Sequence, residues 1–121
     1  MAQVLVVDDS STVRNEVVGF LTANGLTVTS AVDGKDGLEK IKADPSIKLA
    51  MCDVNMPNMD GLTMAEKIRS DLKNDAVNII MLTTENNPAM KVRGKAAGIK
   101  GWIVKPFNGA AVISSIKKLV S

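Results

Sequence analysis

The stretch VLVVDDS at residues 4–10 decides the fold, because four apolar residues run directly into two aspartates and a serine. The apolar run is rich in valine and too short for a helix, so it predicts a strand that is covered on both faces. Ser10 or Ser11 can cap a helix, and the apolar residues that follow recur at helical spacing. A strand, an acidic turn and a helix in this order are typical of a parallel α/β sheet.

The same alternation continues to the end of the chain. Asn24-Gly25 predicts the end of the first helix, and Asp44-Pro45 the end of a second helix over residues 36–43. Asp60 is expected to cap the third helix, and Pro88 to open a fourth whose buried face is mostly alanine. Five strands alternating with five helices predict right-handed crossovers and a doubly wound five-stranded parallel sheet. The strands are predicted over residues 4–7, 26–31, 49–52, 77–82 and 102–104, with the second at an edge of the sheet because it alternates polar and apolar residues.

Composition narrows the possible functions. The chain has 121 residues, 45% hydrophobic and 23% charged, which favours a single domain over residues 1–121 with an ordinary core. A net charge of +2 argues against binding to nucleic acid, and no apolar run is long enough to insert into a membrane. We therefore expect a cytoplasmic monomer. One cysteine and no histidine exclude an internal disulfide, a histidine-based triad and an imidazole metal site.

Reactive side chains follow four of the five predicted strands. Asp8 and Asp9 follow the first, Asp53 the third, Thr83 the fourth and Lys105 the fifth. Since the carboxyl ends of parallel strands form the ligand-binding edge of such a sheet, these groups are expected to converge. Three neighbouring carboxylates resist ionisation without a counter-charge, and Mg²⁺ binds such oxygen ligands well. A metal, a lysine and a hydroxyl would let a carboxylate act as the nucleophile in phosphoryl transfer.

These residues together resemble a known family. Asp8-Asp9, the run DVNMPNMDG at residues 53–61, Thr83 and Lys105-Pro106-Phe107 are similar to the signature of bacterial response-regulator receiver domains. The resemblance covers the whole chain and is strongest to stand-alone receivers of the chemotaxis type. It implies a flavodoxin-like fold with strand order 2-1-3-4-5.

The resemblance also assigns roles in phosphorylation. Asp53 would accept a phosphoryl group from a histidine kinase. Asp8 and Asp9 would hold Mg²⁺, for which Mn²⁺ could substitute, together with Asp53 and the backbone carbonyl of Asn55. Lys105 would pair with a phosphoryl oxygen, and the Lys105-Pro106 peptide bond would be cis.

A further set of residues would convert phosphorylation into a signal. Thr83 would shift toward the phosphoryl group and change the surface made by the fourth helix, fifth strand and fifth helix. Trp102 stands where the family usually has tyrosine or phenylalanine, and whether it turns inward or stays outward as an anchor for a partner remains open. Asn55 and Glu85 would control the access of water and thus the rate of dephosphorylation.

The resemblance implies a signalling switch and not an enzyme that turns over an external substrate. Its partners would be a histidine kinase, a target such as the flagellar motor switch, and a phosphatase. A phosphate sink or a regulator outside chemotaxis are alternatives. A phosphatase with an aspartate nucleophile is disfavoured because Asp8 is followed two residues later by Ser10, where that class has an acid. A flavin module is disfavoured because Asp8 and Asp9 would repel the flavin phosphate.

Overall fold

The computed structural model of the protein describes residues 2–84 and 87–121. Within them the helices are 9 to 13 residues long, and none is long and apolar enough to cross a membrane. Strands and helices alternate strictly along the chain, in the order β1 Val4–Val7, α1 Ser11–Ala23, β2 Val28–Ala31, α2 Gly34–Ala43, β3 Leu49–Cys52, α3 Gly61–Ser70, β4 Asn78–Thr83, α4 Pro88–Ala96, β5 Gly101–Val104 and α5 Gly109–Val120.

The strands of the described residues form one parallel sheet of order β2-β1-β3-β4-β5. This confirms the doubly wound architecture and places β2 at an edge, as its alternating sequence predicted. The strand order reverses between β1 and β3, where Val7 pairs with Cys52. Because the residues after both strands are aspartates, the reversal point of the sheet is also its most acidic edge.

Side chains of the strands point alternately to the two faces and build two hydrophobic cores. Leu5 and Val7 of β1 pack in one core with α2 and α3, whereas Val4 and Val6 pack in the other with α1 and α5. Helices therefore cover both faces of the sheet, which explains why β1 and β3 are apolar at every position.

Most helix ends lie where the sequence predicted them. Ser10 caps α1 by accepting a hydrogen bond from the amide of Val13, and Asp60 caps α3 by accepting one from the amide of Thr63. Helix α1 ends before Gly25, whose φ of 87° suits glycine.

Several details differ from the sequence-based expectations. Strand β4 spans Asn78–Thr83 and not residues 77–82, and strand β5 begins at Gly101 and not at residue 102. Strand β2 begins at Val28 and not at residue 26. Helix α2 begins earlier than predicted because Asp33 caps it. The buried residue of α4 is Gly94 and not an alanine. A Cβ at Gly94 would lie 3.0 Å from Ile99 Cδ1 and 3.5 Å from Trp102 Cζ3, so the side chain of Ile99 would have to shift by a few tenths of an ångström to admit it.

Candidate functional site at the acidic edge of the sheet

Three carboxylates meet where strands β1 and β3 end. Asp8 follows β1 and is 2% exposed, and Asp53 follows β3 and is 7% exposed. The amide of Asp53 donates to the carbonyl of Val7 at 3.0 Å, which continues the ladder between the strands and holds the two aspartates side by side. Carboxylate oxygens of Asp8, Asp9 and Asp53 lie within 4.8 Å of one another, and Asp9 is exposed to solvent.

Lys105 brings a positive charge into this cluster from the end of β5. Its Nζ lies 3.0 Å from Asp8 Oδ2 and 3.0 Å from Asp53 Oδ2, so one ammonium bridges two carboxylates. Burial alone would lower the pKa of Lys105, but its hydrogen bonds with Asp8 and Asp53 outweigh burial and raise the pKa above its usual value. Lys105 is therefore a permanent cation at this site at neutral pH.

The ionised form of Asp8 remains unfavourable in spite of its contact with Lys105. Its Oδ1 accepts from the amide of Ser10 at 2.9 Å, and its backbone carbonyl accepts from Arg14 Nη1 at 2.6 Å. Burial nevertheless raises the pKa of Asp8, because desolvation outweighs the hydrogen bonds from Ser10 and Lys105 and the charge of Asp53 adds to it. A further cation at this edge would lower the free energy of the ionised cluster.

The donor set fits a hard divalent cation such as Mg²⁺. All three clustered donors are carboxylate oxygens. Mg²⁺ prefers such oxygen ligands, whereas softer metals prefer sulfur or imidazole nitrogen. The exposure of Asp9 leaves the cluster open toward solvent, where water or a phosphoryl oxygen can complete the coordination.

A loop over residues 54–60, here called the acceptor loop, joins Asp53 to helix α3. The amide of Asn55 donates to Asp53 Oδ1 at 3.2 Å, and the amide of Gly61 donates to the carbonyl of Val54 at 3.0 Å. The middle of the loop is tied to the turn before α2, since Asn58 Nδ2 donates to Asp33 Oδ2 at 2.8 Å. The backbone of Asn55 is thereby held beside the carboxylates.

Thr83 is the last residue of β4 and is fully buried. The amide of Lys105 donates to the carbonyl of Thr83 at 3.0 Å, so the hydroxyl-bearing residue and the lysine are held together at the end of neighbouring strands. The Lys105-Pro106 peptide bond is cis, the geometry implied by the resemblance. Beside them a cavity of about 410 Å³ opens toward solvent and is lined by Val13, Glu16, Thr84, Lys105, Pro106 and Phe107.

The remaining candidate residues lie farther from the carboxylates or outside the description. Trp102 is half-buried on β5 and packs against the core that contains α2 and α3. The ammonium of Lys91 lies 6.0 Å from the centre of its ring, within the range of a cation–π contact. Glu85 lies outside the described residues.

Three residues around the site were not predicted from the sequence to contribute to it. They are Arg14, Asp33 and Asn58. Arg14 donates to the backbone carbonyl of Asp8, the first residue of the acidic pair. Asp33 stands in a turn with Gly34, and this local sequence gives no sign of a contact with Asn58, 25 residues away. Long-range contacts of this kind have no local sequence signal.

Comparisons with known proteins agree with this geometry. The profile of the response regulator receiver domain matches residues 4–117. The chain is 41% identical over 107 residues to the chemotaxis protein CheY1 of Helicobacter pylori, covering 88% of this chain and 86% of that protein. It is 37% identical over 120 residues to the chemotaxis protein CheY of Treponema pallidum, covering 98% and 82%.

Solved structures show the same architecture. Chemotaxis protein CheY4 of Vibrio cholerae superposes with a TM-score of 0.88 at 38% identity, covering 98% of each chain. The response regulator protein TrrA of Thermotoga maritima, solved in complex with Mg(2+)-BeF, superposes with a TM-score of 0.84 at 29% identity, covering 98% of this chain and 99% of that one.

Proposed function

The chain belongs to the response-regulator receiver family, and we propose on that premise that Asp53 is the residue on which it accepts a phosphoryl group. The protein is a phosphorelay switch of two-component signalling, homologous to the chemotaxis regulators. Membership of the family implies a phosphodonor kinase and a downstream target. The observation that carries the assignment is the bridge of Lys105 Nζ, 3.0 Å from both Asp8 and Asp53.

The transfer is a displacement at phosphorus. A carboxylate oxygen of Asp53 forms the new P–O bond while the bond from phosphorus to the imidazole nitrogen of a phosphohistidine donor breaks. The imidazole leaves with the electron pair and regains its neutral form by taking a proton from solvent. Such transfers need positioning and charge stabilisation more than covalent assistance. Lys105 neutralises charge beside the acceptor oxygen, and the hydroxyl of Thr83 is held on the adjacent strand to donate to the phosphoryl group.

Asp8, Asp9 and Asp53, with the backbone carbonyl of Asn55, would hold the Mg²⁺ that this family binds at its acidic pocket. Bound Mg²⁺ supplies the positive charge that offsets the transferring phosphoryl oxygens. Mn²⁺ prefers the same oxygen donors, so we propose that it can substitute. Asp9 is the most exposed of the three carboxylates and keeps the site open to exchange of the ion.

The output step would run through Thr83 and Trp102. Thr83 ends β4 and Trp102 lies on β5, and the two strands are paired with Thr83 opposite Val104. A displacement of Thr83 toward a phosphoryl group therefore acts on the strand that carries Trp102. Phosphorylation shifts a pre-existing equilibrium of the surface made by α4, β5 and α5, and Asn55 and Glu85 would set how fast water reverses it.

The chemotaxis relatives make a target at the flagellar motor switch our proposal for the output, with the kinase, the target and a phosphatase meeting the protein in the cytoplasm. The protein would act there as a single receiver domain that promotes its own phosphorylation and dephosphorylation without turning over an external substrate. A regulator of another pathway would bind its own target through the same surface.

Phosphorylation of purified protein tests the acceptor directly. Acetyl phosphate with Mg²⁺ should add one phosphoryl group to the wild type, read by intact mass spectrometry at neutral pH, and none to Asp53→Asn. Asp71→Asn is the matched control, since it removes one carboxylate from the exposed end of α3. Phosphorylation of Asp53→Asn at the wild-type rate would contradict the assignment.

A histidine kinase as donor then tests the physiological step. Transfer of labelled phosphoryl groups to the wild type should require Mg²⁺ and should fail with EDTA, because the buried carboxylates otherwise repel the incoming group. Transfer at the same rate without a divalent cation would disprove the metal requirement while leaving the acceptor assignment intact.

A further inference from the structure

The turn before α2 contacts the acceptor loop at two places. Asp33 Oδ2 accepts from Asn58 Nδ2 at 2.8 Å, and Gly34 lies so close to Met59 that a Cβ at Gly34 would be 2.7 Å from the carbonyl oxygen of Met59. The turn and the loop therefore form one packed unit, although neither Asp33 nor Asn58 belongs to the carboxylate cluster.

Asn58 has an unusual backbone conformation that this contact supports. Its φ is 67°, in the left-handed region that asparagine tolerates better than most residues but that still costs free energy. A hydrogen bond to an ionised carboxylate is stronger than one to a neutral group, and bonds from Asp36 and Asn58 keep the pKa of Asp33 below its usual value. Asp33 is thus an ionised acceptor at neutral pH that fixes the middle of the loop.

We propose that Asp33 is a positioning residue for the divalent-cation site, acting through Asn58 on the acceptor loop and so on the backbone of Asn55. The inference rests on the proposed function, in which the carbonyl of Asn55 is a ligand of the ion. Asn58 lies three residues after Asn55, so a loop released at Asn58 would hold the backbone of Asn55 less firmly beside Asp53, to which its amide donates. The contact makes the loop pre-formed for the ion before the ion arrives.

The two carboxylate oxygens of Asp33 have different partners, so the helix cap and the contact with the acceptor loop can be tested separately. Asp33 Oδ1 caps α2 by accepting from the amide of Asp36 at 2.8 Å, whereas Oδ2 serves Asn58. Serine caps helices as well as aspartate does, but its shorter side chain cannot also reach Asn58. Asp33→Ser therefore keeps the helix cap and removes the contact with the loop. Asp33→Asn keeps both, because a rotated Asn58 amide can accept from the new side chain.

A second variant removes the same contact from the other side. Asn58→Gly deletes the donor while glycine adopts a positive φ without strain. Its matched control is Lys73→Gly, since Lys73 has a φ of 52° in the turn after α3, and it is the other non-glycine residue with positive φ in the described chain.

The test is a titration of Mg²⁺ into each protein, followed by backbone amide shifts in NMR. Outer contacts of metal sites typically contribute about 10–100-fold in affinity, and an exposed contact contributes less. We expect the Kd for Mg²⁺ to rise about 3- to 10-fold in Asp33→Ser and in Asn58→Gly, and to stay within about twofold of wild type in Asp33→Asn and Lys73→Gly. The double variant Asp33→Ser with Asn58→Gly should bind as weakly as either single variant, because both remove one contact.

Hydrogen exchange in EDTA supplies a readout that does not depend on the ion. The amide of Gly61 should exchange faster in Asp33→Ser, while the amides of α2 keep their wild-type rates because the cap is intact. A wild-type Kd in Asp33→Ser, or additive effects in the double variant, would overturn the inference while leaving the proposed function standing. A wild-type protein that binds no Mg²⁺ would overturn the inference and the proposed metal site, and the phosphorylation of Asp53 would remain a separate test of the acceptor.

Discussion

Replacing Asp8 by asparagine should stabilise the metal-free protein while removing its response to Mg²⁺. Asp8 is 2% exposed and its cationic partner Lys105 is shared with Asp53. Burying a carboxylate costs several kcal/mol after relaxation, and hydrogen bonds to a charged group return about 1.5–3 kcal/mol each. Burial raises the pKa of Asp8 in spite of these hydrogen bonds, so its ionised form is less favourable in the folded protein than in water. Since the amide can still accept from Ser10, we expect Asp8→Asn to raise the free energy of unfolding in EDTA by about 1–2 kcal/mol.

Urea denaturation at about pH 7.5, with and without Mg²⁺, measures both halves of this expectation. Saturating the wild type at tenfold above its Kd for Mg²⁺ adds about 1.4 kcal/mol, and Asp8→Asn should gain almost none. Asp71→Asn, at an exposed position, should change the free energy of unfolding by less than about 0.5 kcal/mol and keep the response to Mg²⁺. A metal-free Asp8→Asn less stable than wild type, or an unchanged response to Mg²⁺, would refute the reasoning.

The dependence of the unfolding free energy on pH tests the direction of the pKa shift of Asp8. A raised pKa of Asp8 in the folded state means that the folded protein binds this proton more tightly than the unfolded chain, so acidification favours folding. Without metal, the free energy of unfolding of the wild type should therefore rise relative to that of Asp8→Asn as the pH falls from about 7.5 toward about 5. Glu66, whose pKa is lowered from 4.5 by Arg93, loses its contribution only at lower pH. A constant difference in unfolding free energy between the two proteins across this range would contradict the assigned cause.

Two further predictions concern packing around the site and the fixing of α4. In Gly61→Ala the new Cβ would collide with the carbonyl oxygen of Asp53, so we expect a loss of about 2–4 kcal/mol in unfolding free energy and slow phosphorylation by acetyl phosphate. Arg69 donates to four backbone carbonyls at 2.7–3.4 Å, whereas Arg93 makes an exposed bidentate pair with Glu66. Arg69→Ala should therefore lose about 2–3 kcal/mol in urea denaturation and Arg93→Ala less than about 1 kcal/mol. Equal losses of unfolding free energy in the two variants would show that the four bonds from Arg69 to backbone carbonyls do not stabilise the protein more than the exposed pair of Arg93 and Glu66 does.

The sequence predicts the layout of the fold because its signals there are local. Apolar runs of four residues identify β1 and β3, and the caps Ser10 and Asp60 mark helix starts by their own side chains. The acidic edge follows from the same pattern, since Asp8 and Asp53 directly follow these strands.

Features set by contacts between distant segments could not be predicted in this way. The cap at Asp33 is local, but its second bond, to Asn58, depends on how two loops meet. The space beside Gly94 in α4 likewise depends on where the side chains of Ile99 and Trp102 in the following segment lie. Residues 85 and 86 lie outside the described chain, so the part of the site expected at Glu85 stays a prediction.

The lysine bridge makes metal binding an exchange of counter-ions. Lys105 neutralises part of the negative charge on Asp8 and Asp53 even when no metal ion is bound. A cation that binds these carboxylates would compete with Lys105 for their charge, which would weaken the net affinity for Mg²⁺. The fold thus supplies part of the counter-charge of the cluster itself, through the ammonium of Lys105.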